Sequence, residues 1–455
     1  MAEVGKPFPD SKISSGEGTT LSTARAWWAV TLFTLALMMN YLDRQVMTLL
    51  VSPIKRDLGI TDTQVSILIG FMFVLFYLAV GIPLSRLVDR GPRKWIIGIG
   101  VASWSVMTAA CGVAHNFWQL AFARMGVGVG ESCNGPATYS MVADIFPREK
   151  LARAISVINL GMVMGSGMAL LIGGTVVRAL VEQPDVHVPV FGALHAWQLT
   201  FIIVGLPGVL LALLIVLTVP EPMRRGEKAG ADIQAPSLMD VLRFLGRNRA
   251  AYLPMVIATG VKSMLSFGGT VWSPSMFERA YGWKPGEPGL ALGVVSLIVS
   301  PVGLLLGGWI ADRYAAKGHD DANMRVVLWA SLGVVPFAIA YPLMPSPAMA
   351  LLFIAATLFF GGVGAGPANT AIQVITPGRM RGTVSALYIA VFNVMGYGLG
   401  PLIVALLTDS IFGNEMMLPQ SLAITAVVLG PIGLWFTWTS LKPYAECVRR
   451  AREWE

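Results

Sequence analysis

The sequence predicts an all-α membrane protein with twelve transmembrane helices, and three observations lead to this fold class. First, 55% of the 455 residues are hydrophobic and only 13% are charged, whereas soluble domains carry about 25% charged residues. Second, the mean hydropathy is +0.66. Third, apolar runs of about 20 residues, enough to cross ~30 Å of hydrocarbon, recur along the chain without period-two alternation. These features exclude a soluble enzyme and disfavour transmembrane β-strands.

The apolar runs form two sets of six predicted spans on either side of a polar stretch. The predicted spans are 26–51, 64–86, 95–115, 117–146, 150–181, 196–219, 250–278, 288–311, 324–344, 348–375, 382–408 and 418–441. The predicted units are a tail over 1–25, a first bundle over 26–219, a linker over 220–249, a second bundle over 250–441 and a tail over 442–455. The first tail is polar and rich in Ser, Thr and Gly, so we expect it to be disordered and without a cleavable signal peptide.

The linker is predicted to contain a short amphipathic helix. Ser237 and Asp240 have the spacing of a capping box. The apolar residues Leu238, Val241, Leu242 and Leu245 then share one face, with Arg243 and Arg247 beside them. Such a helix would lie on the inner leaflet and join the two halves. A partly helical, solvated linker is the alternative.

Basic residues are distributed unequally between alternate loops. Of the 33 Lys and Arg residues, 25 fall in the tails and even-numbered loops and 5 in the odd-numbered loops. Positive charge concentrates on the cytoplasmic side of membrane proteins, so we expect both termini in the cytoplasm and a multi-pass protein of the inner cell membrane. The net charge of +7 then follows from topology and does not indicate nucleic acid.

An internal repeat relates the two halves. Asp89-Arg90 near the end of span 2 matches Asp312-Arg313 near the end of span 8, 223 positions later. Gly135-Pro136-Ala137 in span 4 matches Gly366-Pro367-Ala368 in span 10, 231 positions later. Matched landmarks in the same order indicate a parallel duplication, the arrangement typical of major facilitator transporters.

The loop between spans 2 and 3 resembles the signature of the major facilitator superfamily, Gly-x-x-x-Asp-Arg-x-Gly-Arg-Arg/Lys. The matching residues are Asp89, Arg90, Arg93 and Lys94, while Ser85 and Pro92 replace the two glycines. The second copy keeps Gly308, Asp312 and Arg313. The resemblance covers all twelve spans and implies two six-helix bundles that transport by alternating access.

Within that superfamily, spans 1 and 4 resemble the spinster family. The similar segments are Asn40-Tyr41-Leu42-Asp43-Arg44-Gln45, Gly130-Glu131-Ser132 and Ala143-Asp144-Ile145-Phe146-Pro147. The resemblance implies transport of amphipathic lipids such as lysophospholipids or sphingosine phosphate, coupled to protons through acids in spans 1 and 4. Organic-acid:proton symporters share an Asn-Tyr-x-Asp-Arg start, so a small organic or sugar acid is the alternative cargo.

Five ionisable residues lie well inside the predicted spans, where each charge costs at least about 2.5–3.5 kcal/mol on insertion scales. They are Asp43, Arg44, Arg124, Glu131 and Lys262. Asp43 and Glu131 are expected at similar depth, and Arg124 and Glu131, seven residues apart, are expected on one helix face. We predict proton coupling by Asp43, Glu131 and Arg124, in which a movable arginine switches an acid between its protonated and ionised forms. A static buried ion pair is the alternative.

The same arginines are candidates for binding an anionic head, together with the lysine of span 7. We therefore predict that Arg44, Arg124 and Lys262 contact the substrate, although a lysine can also snorkel. Neither acid has a counterpart in the second half. Glu131 maps to Gly362 through the 231-residue offset, and Asp43 maps to Met264 when Ser52-Pro53 is aligned with Ser273-Pro274.

Charged residues at inner span ends form a predicted cytoplasmic gate. The predicted gate residues are Asp89, Arg90, Arg93, Asp144, Asp312 and Arg313. The family resemblance implies that the loop 2–3 aspartate faces the start of helix 11, near Arg381, and that its arginine pairs with an acid ending helix 4. A carboxylate at a helix N-terminus is favourable. A solvated salt-bridge cluster is the alternative.

No catalytic, metal or nucleotide-binding motif is visible, so we expect no enzyme activity and no cofactor. The predicted function is proton-coupled transport of an amphipathic organic anion or lysolipid. Its partners would be the substrate, protons and membrane lipids, without nucleic acid, and the chain is expected to be a monomer. The alternatives are a proton symporter for small organic or sugar acids and a non-transporting sensor or scaffold on the same fold.

Overall fold

The computed structural model describes residues 22–181, 183, 185–188, 192–222 and 237–452. These residues form α-helices and a single two-stranded antiparallel hairpin, Val186–Val188 with Gly192–Leu194. The hairpin is the one feature of this region that an all-α prediction does not include. Residues 1–21 of the predicted first tail lie outside the described residues, and helix α1 begins at Thr23.

The helices follow the predicted apolar runs closely. They are α1 (Thr23–Leu49), α2 (Val51–Leu58), α3 (Asp62–Ser66), α4 (Met72–Arg90), α5 (Arg93–Cys111), α6 (Phe117–Glu131), α7 (Asn134–Ile145), α8 (Arg148–Leu180), α9 (Ala196–Thr218), α10 (Leu238–Arg247), α11 (Arg249–Tyr281), α12 (Glu287–Ala316), α13 (Ala322–Ala340), α14 (Pro347–Val374), α15 (Arg381–Asn393), α16 (Gly400–Leu406) and α17 (Leu418–Ala451). Within the described part of the chain, ten helical segments are long and apolar enough to cross a membrane. The chain is therefore a multi-pass, all-helical membrane protein.

The helices pack into two halves. In the first half α1 packs along α8, and α5 packs against α6 and α9. In the second half α11 packs along α17, and α14 packs against α12 and α13. Large apolar side chains fill both halves: Trp104 is fully buried in a core of the first half, and Trp272 is fully buried in a core that contains residues of both halves.

Short π-helical turns interrupt two helices where the halves meet. Ile67–Phe71 joins α3 to α4, and Val394–Leu399 joins α15 to α16. These turns pack against each other across the interface between the halves. π-helical turns are frequent at functional sites because the extra residue redirects nearby side chains. Here one of them contains Tyr397, which enters the candidate site described below.

Polar contacts between the halves cluster at one end of the molecule. Ser66 donates from its hydroxyl to the Pro401 carbonyl at 3.0 Å. Thr63 donates from its backbone N–H and its hydroxyl to the Asp409 carboxylate at 2.6 and 2.7 Å. We call this end, formed by residues 52–66 with 278–279 and 401–415, the closed end. We call the opposite end the linker end, because it carries helix α10 of the segment that links the two halves.

Gly70 allows close backbone contact between the halves. A Cβ built at this position overlaps the carbonyl oxygen of Tyr397, so we expect Gly70→Ala to force the halves apart and cost about 1–3 kcal/mol, the usual range for overpacking. Gly135→Ala is the matched control, because nothing lies within 4 Å of its added Cβ. Melting temperatures measure the cost. Equal melting temperatures for the two variants would show that the contact does not hold the halves together.

The structure differs from the predicted spans in two places. Predicted span 4 is interrupted after Glu131 and resumes at Asn134, since Pro136 has no N–H to bond the carbonyl of Ser132. Helix α17 continues to Ala451, well beyond the predicted end of span 12 at 441. Tyr444 and Cys447 are buried against the second core, which explains why this segment remains helical rather than a solvated tail.

Helix α10 lies in the predicted linker, of which residues 223–236 are outside the described part. The Ser237 side chain accepts from the Asp240 N–H, and the Asp240 carboxylate accepts from the Ser237 N–H and hydroxyl, which makes a capping box. The Ser237 hydroxyl, by donating to this exposed carboxylate, lowers the pKa of Asp240 below its usual value. Val241 is buried against the second half, while Leu238 and Leu242 are exposed.

Candidate functional site

Helices α1 and α6 bring four of the five predicted intramembrane charges together. Asp43, Arg44, Arg124 and Glu131, which we call the charge cluster, hold two acids and two arginines, so the cluster is formally neutral. Asp43, Arg124 and Glu131 are all buried. A neutral set of mutually close charges is the arrangement in which burial is least costly.

The central contact of the charge cluster is an ion pair between Arg44 and Glu131. The Arg44 Nε and Nη2 groups both donate to Glu131 Oε2, at 2.8 and 2.5 Å. The Glu131 side chain is 0% exposed, whereas the Arg44 side chain is 16% exposed. Arg44 is therefore the member of the pair that a ligand can reach. The other carboxylate oxygen, Oε1, has no hydrogen-bond partner among the described residues.

Four aromatic rings surround the Arg44 guanidinium. Its Cζ atom lies 4.6 Å from the ring centroid of Phe73, and 5.9, 5.8 and 5.5 Å from those of Tyr41, Tyr77 and Tyr397. Aromatic faces attract a guanidinium with about 0.5–2 kcal/mol each, depending on desolvation. Because Tyr397 belongs to the second half, Arg44 is a contact point of both halves.

The second acid of the cluster has different neighbours. Arg124 donates from Nη1 to the backbone carbonyl of Asp43 at 3.4 Å, and its Cζ lies 5.7 Å from the Phe73 centroid. The Asp43 carboxylate lies beside Thr108 and within electrostatic reach of Arg124 and Glu131. The Arg124 Nε has no partner among the described residues, so this arginine can donate a further hydrogen bond.

The structure shows which arginine pairs with Glu131. Sequence spacing placed Arg124 and Glu131 on one helix face and left open which acid Arg124 partners, and the ion pair with Glu131 is made by Arg44. The helix ends at Glu131, so regular helical spacing from Arg124 does not decide which arginine the carboxylate contacts. The aromatic residues Phe73, Tyr77 and Tyr397 were not predicted as site residues. The Gly-Tyr-Gly sequence at 396–398 was the one available sign, since glycines flank a ring where helices approach closely.

Lys262 does not join the charge cluster. Its amine lies against Gly364 of α14, in a small cavity bordered by Ser331 of α13 and Thr437 of α17. All of these residues belong to the second half. The predicted contact of Lys262 with the same anionic head as Arg44 is therefore not supported by its position.

The predicted cytoplasmic gate residues are found in separate places. Arg93 is 1% exposed and bonds Asp144, Glu221 at 3.1 Å and the Pro222 carbonyl at 3.0 Å. This contact joins α5, α7 and the end of α9 within the first half. Asp312 and Arg313 are exposed at the end of α12, and the Arg313 Cζ lies 3.9 Å from the Trp309 centroid. The side chains of Asp89 and Arg90 lie outside the described part of the structure.

A second charged contact, which the sequence did not predict, joins the halves at the closed end. Arg279 donates bidentately to Asp62, at 2.6 Å to Oδ2 and 2.7 Å to Oδ1. Lys55 also bonds Asp62 and reaches Glu415 at 2.6 Å. The Asp62 side chain is 0% exposed, and Ser52 bonds Glu278 nearby. Asp62 and Lys55 lie in the first half and Arg279 and Glu415 in the second, so this network ties the two halves together.

The fold and these interior charges define a class of protein, a helical membrane transporter. The Major Facilitator Superfamily model matches residues 33–401, and the chain belongs to that superfamily. This result confirms the predicted fold family and a transport function.

Two relatives and one solved structure are similar to the chain over nearly its whole length, and one of the two relatives is a spinster protein, in line with the predicted resemblance. The chain is 27% identical over 443 residues to an MFS-type efflux pump of Mycolicibacterium smegmatis, which covers 96% of this chain and 97% of the relative. It is 26% identical over 478 residues to protein spinster homolog 3 of Danio rerio, with 98% and 90% coverage. The crystal structure of a bacterial homolog to the human lysosomal transporter spinster, inward-facing and unoccupied, superposes with a TM-score of 0.78 at 24% identity, with 95% and 98% coverage.

Proposed function

We propose that the chain is a proton-coupled transporter of an amphipathic organic anion or lysolipid. The observation that carries this proposal is the Arg44–Glu131 ion pair, in which a buried acid holds a partly exposed arginine. An anion that binds Arg44 competes with Glu131 for the same guanidinium. A proton on Glu131 removes that competition, so proton and anion binding favour each other.

The surroundings of Arg44 favour an amphipathic anion over a small polar one. The guanidinium is ringed by partly exposed tyrosines at positions 41, 77 and 397, and Phe267 stacks on Tyr397 at 3.7 Å between centroids. Planar guanidinium groups bind carboxylate or phosphate bidentately, and the adjacent rings would contact an acyl chain. An anion without an apolar part would bind the guanidinium but would not contact these rings.

The transport cycle we propose uses the two halves as rigid bodies. Helices α1 and the pair α6 and α7 would complete twelve spans with the ten apolar segments, six in each half, with both termini in the cytoplasm. The closed end would then face outward, where the Asp62–Arg279 pair joins the halves. The charge cluster would be reached from the cytoplasmic side, and opening would require that this pair separates.

Ligand-induced stabilisation tests the proposed cargo. We expect oleoyl lysophosphatidylglycerol to raise the melting temperature more than glycerophosphoglycerol, which carries the same phosphodiester without an acyl chain, because only the former contacts the aromatic rings. Arg44→Gln should abolish the stabilisation by the lysolipid, whereas Arg313→Gln, which neutralises an exposed arginine outside the cluster, should preserve it. If glycerophosphoglycerol raised the melting temperature more than the lysolipid, the result would instead favour a symporter of small organic or sugar acids.

Proton movement across a liposome membrane distinguishes a proton-coupled transporter from a sensor. Liposomes that contain the protein and an internal pH dye should acidify or alkalise when lysophosphatidylglycerol is added on one side. Binding that stabilises the protein without any proton movement would favour a sensor or scaffold built on the same fold. The superfamily membership makes transport the expected result.

A further inference from the structure

Helix α10 has two apolar faces, and only one of them packs against protein. Val241 lies on the first face and is fully buried in the core of the second half. The second face lies about a third of a turn further round the helix, and we call it the free face. It is formed by Leu238, Met239 and Leu242, which are 58%, 56% and 47% exposed. The sequence predicted a single apolar face, which the structure divides in two.

Arginines follow the free face round the helix. Arg243 and Arg247 are exposed, and so is Arg249, which begins α11 directly afterwards. The one acid of α10 is Asp240. Its carboxylate accepts from the Ser237 hydroxyl at 2.7 Å in the capping box and lies 3.5 Å from Arg243. Three arginines against one acid make this side of the helix positively charged.

The end of α17 brings a further arginine to the same place. Asn248, which joins α10 to α11, accepts from the Cys447 thiol at 3.9 Å. Arg450 donates to the Cys447 sulfur at 3.1 Å and is exposed. Glu446 is the exposed acid beside it on α17. The exposed arginines of this surface, which we call the basic patch, are Arg243, Arg247, Arg249 and Arg450.

The position of α10 in the chain determines its depth. Helix α11 is long and apolar enough to cross a membrane, and it begins at Arg249, two residues after α10 ends at Arg247. A helix joined so closely to a membrane span lies at the boundary between hydrocarbon and water. At that depth apolar side chains can enter the bilayer, and arginines can extend to the head groups.

The free face is too small to be a protein interface. Each side of a stable protein interface supplies about 20–30 residues, whereas the free face offers three apolar side chains on a helix of 10 residues. A lipid leaflet needs no such area, because it contacts every membrane-facing side chain of the protein at once. Its anionic phosphates also complement the charge of the basic patch.

We propose that α10 binds the anionic lipids of the leaflet at the linker end and thereby anchors the second half to that leaflet. The free face enters the acyl boundary, and the basic patch contacts phosphates, which arginine binds bidentately. The proposal goes beyond the proposed transport function and uses none of its site residues. It rests on the proposed topology only for the statement that this leaflet is the cytoplasmic one.

A nitroxide label on the free face tests the depth of α10. The native cysteines are buried, so the label enters at the new thiol of Met239→Cys in the full-length protein. In nanodiscs of phosphatidylglycerol and phosphatidylcholine, we expect it to collide more with oxygen, which concentrates in hydrocarbon, than with a water-soluble nickel chelate. A label at Lys317→Cys, exposed at the end of α12, should show the opposite preference.

Two results with this label would overturn the proposal. Greater access of the nickel chelate to Met239→Cys would mean that the free face lies in water. Shielding of the label from both oxygen and nickel would mean that protein covers the free face, either another segment of this chain or a second molecule.

Phosphatidylglycerol titration tests the role of the basic patch. In mixed micelles, the concentration that gives half of the rise in melting temperature should increase about fivefold in Arg243→Gln, since each arginine near an anionic surface contributes about this factor. Arg243→Gln combined with Arg247→Gln should increase it further. Arg56→Gln neutralises an exposed arginine at the closed end and should match the wild type. Equal half-saturating concentrations in all four proteins would contradict the proposed contact with phosphates.

Arg44→Gln separates this lipid site from the proposed cargo site. The stabilisation by phosphatidylglycerol should persist in Arg44→Gln, because Arg44 lies in the charge cluster and not in the basic patch. Loss of that stabilisation in Arg44→Gln would place the lipid at the charge cluster and overturn α10 as its site. If the stabilisation persists but liposomes show no proton movement, the proposed transport fails and the lipid site of α10 stands.

Discussion

Glu131→Gln is expected to abolish the pH dependence of anion binding and to tighten binding at neutral pH at least tenfold. Glutamine imitates the protonated acid, so it no longer competes as an anion for the Arg44 guanidinium. Breaking a buried ion pair costs about 3–5 kcal/mol, and tenfold in affinity corresponds to about 1.4 kcal/mol. The expected tenfold gain in affinity therefore corresponds to less than half of the free energy of a buried ion pair such as Arg44–Glu131.

Titration of lysophosphatidylglycerol binding between about pH 5 and 8 measures this effect, because the charge of its phosphodiester does not change over that range. The wild type should bind more tightly as the pH falls, and Glu131→Gln should bind equally at all values. Glu221→Gln is the matched control, since it neutralises a glutamate paired with an arginine at the linker end of the same half. Weaker binding by Glu131→Gln would show that the acid itself contacts the ligand.

The sequence identified the elements of the charge cluster but not how they are paired. Asp43, Arg44, Arg124 and Glu131 stand out because charges are rare in apolar runs, and that rarity can be read without a structure. Pairing depends on helix–helix geometry and on the break after Glu131, neither of which follows from helical spacing. For the same reason Arg44 was predicted to bind only the substrate, whereas its position also makes it the partner of the buried acid.

Contacts between the halves were the hardest features to predict. Asp62 and Arg279 lie 217 residues apart, at the ends of apolar runs where charges are cheap and common. The internal repeat relates equivalent positions within each half but gives no information about which residues face each other across the interface. Lys262 shows the same limit, because its depth in span 7 was predictable but the helix face that carries it was not.

The second large effect concerns the closed end. Asp62→Asn is expected to shift the protein toward conformations in which the halves separate there, because it removes the buried charge that Arg279 and Lys55 share and leaves them only the exposed carboxylate of Glu415. Leaving two buried cations without this partner costs about 3–5 kcal/mol, enough to change a two-state ratio by more than a hundredfold. Spin labels at the exposed positions His115 and Lys284, one in each half, should report a longer distance at this end.

A control variant and a double variant show whether the Asp62–Arg279 ion pair controls the separation of the halves, as a latch would, or only stabilises the fold. Asp57→Asn is matched in chemistry and location, but the Asp57 carboxylate accepts from the Trp197 indole within the first half, so the distance between the labels should not change. A latch also predicts strong coupling between Asp62→Asn and Arg279→Gln: once either charge is gone, removing the other should add little separation. A lowered melting temperature with an unchanged distance in Asp62→Asn would mean that the pair stabilises the fold without controlling access. Because Asp62 is fully enclosed between residues of both halves, we expect the distance to change.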